Sequence, residues 1–135
     1  MKALFGRFLG VLLVLLVAGI AIPVGKMVGD EAWAAWQVHQ RLLKMQEEFE
    51  RRPPLPGNGF VTPKGAAVNF RTFTYLYEAE PTITKADIIA GEEDIRRGIC
   101  AGRLKPLIKA GATIAYEYRT PTGVTVHHFE IGYCA

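Results

Sequence analysis

The chain has 135 residues and a formal net charge of +3, and half of its residues are hydrophobic. This length provides for one small domain besides a short N-terminal segment. From Gly57 onward, nine Lys and Arg residues stand against eight Asp and Glu residues. The distal part is therefore nearly neutral, which excludes the basic footprint of a nucleic-acid-binding domain.

The first element in chain order is an apolar run from Leu4 to Val24 that is interrupted only by Arg7. A helix that spans a bilayer needs about 20 mostly apolar residues, so residues 1–27 are predicted to form a transmembrane anchor. A cleaved signal peptide is the alternative, with Gly19-Ile20-Ala21 as the processing site. The basic residues before the run favour a cytoplasmic N-terminus. We therefore expect a single-pass protein of the inner membrane, with membrane lipid as one partner and a periplasmic or extracellular C-terminal domain.

A second, amphipathic helix is predicted over residues 28–52, with Asp30 as its N-cap. Its apolar stripe recurs at helical spacing and consists of Val38, Leu42, Met45 and Phe49. Two interpretations stay open for this stripe, namely packing onto the distal domain and a seam for a partner helix. Trp33 and Trp36 lie on another side of the helix, where interfacial aromatic residues would meet lipid headgroups. All six residues are candidate interaction residues.

Residues 53–59 contain three prolines and two glycines and are predicted to be a linker. An extracytoplasmic α+β domain is then expected over residues 60–135. Its first predicted strand runs from Val68 to Tyr77, with a bulge near Arg71-Thr72 because the alternation changes register there. Phe73, Tyr75 and Tyr77 share one face of this strand, and they are candidates for lining a pocket for a small ligand or peptide.

Thr84 and Asp87 have the spacing of a capping box and predict a helix that runs to about Gly98. Ile88, Ile95 and Ile99 are expected to face inward. A short helix from Lys105 to Ala110 should follow, since Pro106 suits its first turn.

The C-terminal residues predict an antiparallel β-hairpin with a type I turn at Thr120-Pro121-Thr122-Gly123. Pairing Thr120 with Gly123 places Ile114 opposite Phe129 and Tyr116 opposite His127. The two faces of the hairpin differ, one being apolar and the other mixed, as in a half-exposed antiparallel sheet.

Cys100 and Cys134 are the two cysteines of the chain. An even pair in an exported domain predicts a disulfide, and two buried thiols are the alternative. The loop closed by such a bond would contribute about 3–4 kcal/mol to stability in the chain-entropy model.

The mixed face of the hairpin carries Glu117, His128 and Glu130, which could form an acid–base or metal-binding cluster. Ordinary cross-strand pairing on a solvated surface explains the same spacing. The chain has no serine, no P-loop, no GxGxxG and no HExxH. We therefore expect no cofactor and no metal.

The layout resembles that of type IV pilin-like proteins. The features it shares with them are the apolar segment that ends in Gly19-Ile20-Ala21-Ile22-Pro23, an amphipathic second half-helix, an α/β head and a C-terminal cysteine pair. It departs from them because Arg7-Phe8 replaces their Gly-Phe processing site and no acid lies between Met1 and Gly29. The resemblance therefore implies a similar architecture and assigns no family.

These patterns together predict a membrane-anchored, non-enzymatic interaction or assembly component of a cell-envelope complex. Its expected partner is another envelope protein or a second copy of the chain. An extracytoplasmic module that binds a ligand or peptide is the first alternative. A small hydrolase that uses Glu117, His128 and Glu130 is the second.

Overall fold

The computed structural model describes residues 29–52 and 60–135. The predicted anchor and the predicted linker lie outside these ranges. Within them, no helix is both long and apolar enough to cross a membrane. Residues 35–135 form one compact unit. The domain boundaries drawn from the sequence stay predictions.

The described part of the chain is an α+β fold, as predicted, with one four-stranded sheet in the order β1-β2-β3-β4. The first helix, α1, covers residues 29–51. The elements that follow are β1 (Val61–Asn69), β2 (Thr72–Ala79), α2 (Lys85–Ala101), α3 (Lys105–Lys109), β3 (Thr113–Arg119) and β4 (Thr125–Ile131). β2 and β3 are parallel, and the other two strand pairs are antiparallel.

The stretch predicted as a single bulged strand is in fact a hairpin, and this corrects the sequence-based prediction. β1 and β2 pair through a tight turn at Phe70 and Arg71, with Asn69 opposite Thr72. Phe70 has a φ of 52°, which bulky residues rarely adopt. The change of alternation at Arg71-Thr72 therefore marks a reversal of the chain rather than a bulge.

α2 begins where the sequence predicts, because Thr84 and Asp87 form the reciprocal capping box. Both bonds are present: Thr84 N–H donates to Asp87 Oδ2 at 2.8 Å, and Asp87 N–H donates to Thr84 Oγ1 at 3.2 Å. The Thr84 N–H and the Thr84 hydroxyl both donate to the Asp87 carboxylate and hold its pKa below its usual range, the backbone bond being the larger cause. Ile88 is buried, and Ile95 and Ile99 pack against the core as expected.

The C-terminal hairpin is confirmed, but its predicted register is wrong by two residues. Ile114 lies opposite Ile131 and Tyr116 lies opposite Phe129. The predicted turn is present, since Gly123 N–H donates to Thr120 O at 2.9 Å. Gly123 has a φ of 88° and forms the bulged third loop residue of such hairpins. A second irregularity follows between Tyr118 and Arg119. The two shifts together leave His127 to Glu130 on their predicted faces, whereas Thr125 changes face and donates a hydrogen bond to Glu117.

The core lies on one face of the sheet, between the strands and the helices. The largest side chains there that are under 2% exposed are Leu42, Phe73, Ile114 and Ile131. At the end of α2, Cys100 and Cys134 form a disulfide with their Cα atoms 5.5 Å apart. This bond ties α2 to the chain that follows β4.

Candidate functional site

The apolar stripe of α1 divides into two halves with different environments. Val38 and Leu42 are 4% and 0% exposed and belong to the core. Met45 and Phe49 are only partly buried against it. Packing onto the sheet thus accounts for the first half, while the second half keeps accessible surface.

Two hydrogen bonds fix α1 along the edge strand β1. Gln46 Nε2 donates to Ala66 O at 3.0 Å. His39 Nδ1 lies 2.8 Å from Phe70 O. α1 therefore runs antiparallel to β1, and this direction carries Met45 and Phe49 toward the aromatic side chains of β2.

A groove of about 770 Å³ opens between the C-terminal half of α1, the strand β2 and α3. It is as large as the clefts that hold small ligands or a few peptide side chains. Its lining residues are Met45, Glu48, Phe49, Arg51, Arg52, Phe73, Tyr75, Arg103, Leu104 and Leu107. The groove joins part of the stripe to part of the aromatic strand, which the sequence presented as two separate sites.

The wall and floor of the groove are aromatic. The rings of Phe49 and Tyr75 are 5.5 Å apart, and Phe73 meets Tyr75 edge-on at 4.8 Å. Tyr75 also stacks on Tyr116 at 5.1 Å, which fixes the ring from below. Such interlocked rings form a stiff apolar surface.

Tyr77, the third ring predicted to line a pocket, does not line this groove. It stacks on Tyr116 at 6.1 Å and on Tyr118 at 5.5 Å. Tyr77 thus continues the aromatic stack along the sheet.

Three arginines, Arg51, Arg52 and Arg103, also line the groove beside these aromatic rings. Arg51 forms an ion pair with Glu47 one turn earlier. Within residues 29–52 and 60–135, no ion pair involves Arg52 or Arg103. Burial raises the pKa of the Tyr75 phenol, and the charge of Arg103 partly opposes that rise. Arg103, which forms no ion pair among the described residues, thus lies close enough to Tyr75 to influence its phenol.

Sequence inspection missed Arg103, Leu104 and Leu107. Leu104 and Leu107 are three residues apart, the spacing that places two side chains on one side of a helix. α3 has only five residues, so its pattern is too short to define a face by itself. The helix stop at Gly102, followed by two leucines at helical spacing, is the sequence signal that could have indicated this part of the groove.

Trp33, the fifth interaction residue predicted from the sequence, is 58% exposed on α1. Trp36, the sixth, is 50% exposed. Neither lines the groove.

The polar face of the sheet brings Glu117, His128 and Glu130 together as the alternation predicts. Glu117 lies opposite His128, and His128 Nε2 is 3.2 Å from Glu130 Oε1. Arg119 and Thr125 donate to Glu117 at 3.0 and 2.9 Å. The bond from Arg119 is the main cause that lowers the pKa of the Glu117 carboxyl. This carboxylate is therefore ionised at neutral pH and poorly suited to act as a general acid.

His128 and Glu130 are about half exposed. Among the residues that the structure describes, no group of three or more His, Cys, Asp or Glu side chains could hold a metal ion. The contacts around Glu117 are those of a solvated strand surface.

No protein-family model matches the chain, and no curated protein matches its sequence. Solved structures do share its fold. One is a protein of Pseudomonas aeruginosa inferred to be secreted, with a TM-score of 0.61 and 14% identity over 73% of this chain and 91% of the other.

Two others are pilotins of type II secretion systems. AspS of Vibrio cholerae has a TM-score of 0.59 and 10% identity over 74% of this chain and 93% of its own. EpsS of Vibrio vulnificus has a TM-score of 0.56 and 8% identity over 76% of this chain and 92% of its own. At these identities the likeness establishes the fold alone.

Proposed function

We propose that this chain is an extracytoplasmic, non-enzymatic assembly component of the cell envelope that binds a segment of another envelope protein in its groove. The observation that carries the proposal is the groove itself, in which half of the α1 stripe, two aromatic residues of β2 and the α3 leucines meet. The shared fold with two pilotins, proteins named for their secretion systems, supports the same function.

The chemistry of the groove favours a peptide segment with both apolar and acidic side chains. Phe49, Tyr75 and Leu107 offer an apolar surface. Arg52 and Arg103, which form no ion pair within the described part of the chain, offer cations beside it. Hydrogen bonds to charged groups contribute about 1.5–3 kcal/mol each. A carboxylate of the partner that reaches either arginine would therefore fix the segment in one orientation.

The proposal includes membrane attachment through residues 1–27, with the C-terminal domain outside the cytoplasm. The apolar run of residues 8–24 supports this attachment by its length. Trp33 and Trp36 follow it closely in sequence, and tryptophans are enriched where membrane meets water. Attachment of this kind would hold the groove near envelope proteins of the same membrane.

The test is photo-crosslinking in intact membranes with the full chain, placing a photoreactive residue at Leu107. We expect it to capture one envelope protein, identified by mass spectrometry. Adding Arg52→Gln and Arg103→Gln should lower the yield about tenfold, because each change removes a charged hydrogen-bond donor.

The matched control is the same photoreactive residue at Leu43, which is 38% exposed on α1 and does not line the groove. Equal capture of the same protein at Leu43 and Leu107 would contradict a groove-specific partner. Capture of a second copy of the chain at Leu107 alone would replace the envelope partner with self-association.

A further inference from the structure

One end of the sheet gathers aromatic and basic residues, and we call it the aromatic-basic end, defined by Phe70, Arg71, Lys109 and Tyr133. The strand pairing places them there. β2 and β3 are parallel and begin together, with Thr72 opposite Thr113. The Phe70-Arg71 turn therefore lies beside the start of β3, and Arg71 O accepts a bond from Thr113 N–H at 2.8 Å.

α3 and β4 reach the same end of the sheet. α3 ends at Lys109, shortly before β3 starts. β4 ends opposite the start of β3, since Ile131 pairs with Ile114. Tyr133 follows two residues later, and its carbonyl lies 4.0 Å from Cys100 Sγ.

The aromatic rings at this end face solvent rather than the core. Phe70 is 58% exposed and Tyr133 is 75% exposed. Phe70 keeps this position although its φ of 52° is unfavourable for a bulky residue. The hydrogen bond from His39 to its carbonyl and the Arg71 guanidinium 5.4 Å from its ring centroid hold the turn in place. Local strain that surrounding contacts maintain is typical of functional positions.

The charge near this end is positive. Between Asp94 and Glu117 the sequence contains no acidic residue. The same stretch contains five cations. Arg96 and Arg97 pair with Glu92 and Asp94 on α2, whereas Arg103, Lys105 and Lys109 form no ion pair among the described residues. Arg71 adds another at the hairpin turn. Aromatic residues beside cations are typical of surfaces that rest on anionic lipid.

The opposite end of the sheet also has an exposed ring, Phe60, but its cation Arg119 is paired with Glu117. Its turn, Thr120-Pro121-Thr122-Gly123, is uncharged and is followed by Val124, which is 63% exposed. Val124 is thus an exposed apolar residue at a hairpin turn, like Phe70, but without a neighbouring ring or cation in the turn. The two turns form a natural pair for comparison.

We propose that the aromatic-basic end rests in the headgroup region of an anionic lipid bilayer. The course of the chain supports lipid as the occupant. His39, which binds the Phe70 carbonyl, follows the apolar run that ends at Val24 by only 15 residues. Trp36 lies one helical turn before His39 and is 50% exposed. The inference rests on the proposed membrane attachment through residues 1–27.

The experiment places a single tryptophan at either turn of the full chain. Trp33→Phe and Trp36→Phe remove the native reporters, and then Phe70→Trp or Val124→Trp supplies a new one. Each protein is reconstituted in vesicles of phosphatidylglycerol with brominated acyl chains, which quench tryptophan at short range. Seven strand residues separate the two positions by about 23 Å, whereas interfacial side chains lie about 5–10 Å deep. We expect quenching at position 70 to exceed that at position 124 about threefold.

Two further samples separate the alternatives. Tyr133→Trp reports on the same end without touching the strained turn, and it should be quenched like position 70. Arg71→Gln with Lys109→Gln should reduce quenching at position 133 about twofold. Equal quenching at positions 70, 133 and 124 would overturn the inference. Flotation of the vesicles tests attachment separately: protein that fails to float overturns both proposals, and protein that floats without quenching at position 70 or 133 overturns only this one.

Discussion

The two faces of the sheet are built from alternate residues of the same strands, yet they differ in almost every property. The apolar face carries Phe73, Ile114 and Ile131, each at most 1% exposed, together with the stack of tyrosine rings. The polar face carries charged groups such as Glu117, which is 19% exposed and pairs with Arg119, and His128, which is 44% exposed and pairs with Glu130. Alternation along each strand thus sorts the side chains onto two faces, whereas the helices packed on one face determine which of the two sets becomes the core.

The largest expected effect comes from breaking the contact between α1 and the apolar face. Leu42 is fully buried, so Leu42→Ala should lower the free energy of unfolding by about 3–4 kcal/mol through lost transfer energy and a cavity. Urea unfolding of the full chain in detergent, followed by circular dichroism, measures this change.

The neighbouring Leu43 is the matched control, since it is 38% exposed on the same helix. Leu43→Ala should cost less than about 1 kcal/mol. Similar losses for both variants would contradict the assignment of Leu42 to the core. They would instead place both leucines in comparable surroundings.

This contrast between faces was largely predictable from the sequence, because a period of two assigns side chains to faces even when the register is wrong. The hairpin prediction erred by two residues and still placed Tyr116 and Tyr118 on the apolar face. The capping box at Thr84 and the Cys100–Cys134 disulfide were also predictable from the sequence. The first depends on the spacing of two neighbouring residues, and the second on there being two cysteines in the chain.

The remaining features depend on conformations that sequence rules do not anticipate. Tight hairpins usually have Gly or Asn where φ is positive, so a turn with Phe70 in that position was taken for a bulge. The groove could not be predicted because it needs Arg103 and Leu107, from a five-residue helix, to meet Phe49 across the sheet. Such a meeting is decided by tertiary packing.

The two faces should also limit stability at opposite ends of the pH scale. Burial, reinforced by Tyr77 and Glu92, raises the pKa of the Tyr118 phenol to about 12. The fold therefore favours the neutral phenol. Its contribution is complete below the ordinary tyrosine pKa of about 10 and is lost as the pH rises through about 12. Glu117 behaves oppositely, because its lowered pKa gives a contribution that is lost as the pH falls through the folded value.

Tyr118→Phe keeps the ring stack and removes the titrating group. We expect the midpoint of alkaline unfolding, followed by circular dichroism, to rise by about 0.5 pH unit. Glu117→Gln should leave that alkaline midpoint unchanged and weaken only the loss of stability at acidic pH. An alkaline midpoint that is unchanged by Tyr118→Phe would show that ionisation of the buried phenol does not limit the stability of the fold at high pH.

The finest comparison lies within one dipeptide, because His127 and His128 are adjacent and belong to opposite faces. Each has a ring nitrogen 3.2 Å from a carboxylate oxygen, of Glu92 for His127 and of Glu130 for His128. Only the surroundings differ: the His127 side chain is 14% exposed and the His128 side chain is 44% exposed. The pair of His127 also joins β4 to α2, whereas His128 and Glu130 belong to the same strand.

His127→Ala should therefore lower the free energy of unfolding by about 1–2 kcal/mol, since it removes a partly buried hydrogen bond and leaves Glu92 with only Arg96, at 3.7 Å. His128→Ala should change it by less than about 0.5 kcal/mol, as exposed pairs do. Urea unfolding of both variants measures this difference. His127→Gln is the control, since its side-chain amide can retain the hydrogen bond to Glu92. Equal costs would mean that contact distance matters more than burial, and that α2 is held to the sheet mainly by Ile88 and the disulfide rather than by this pair.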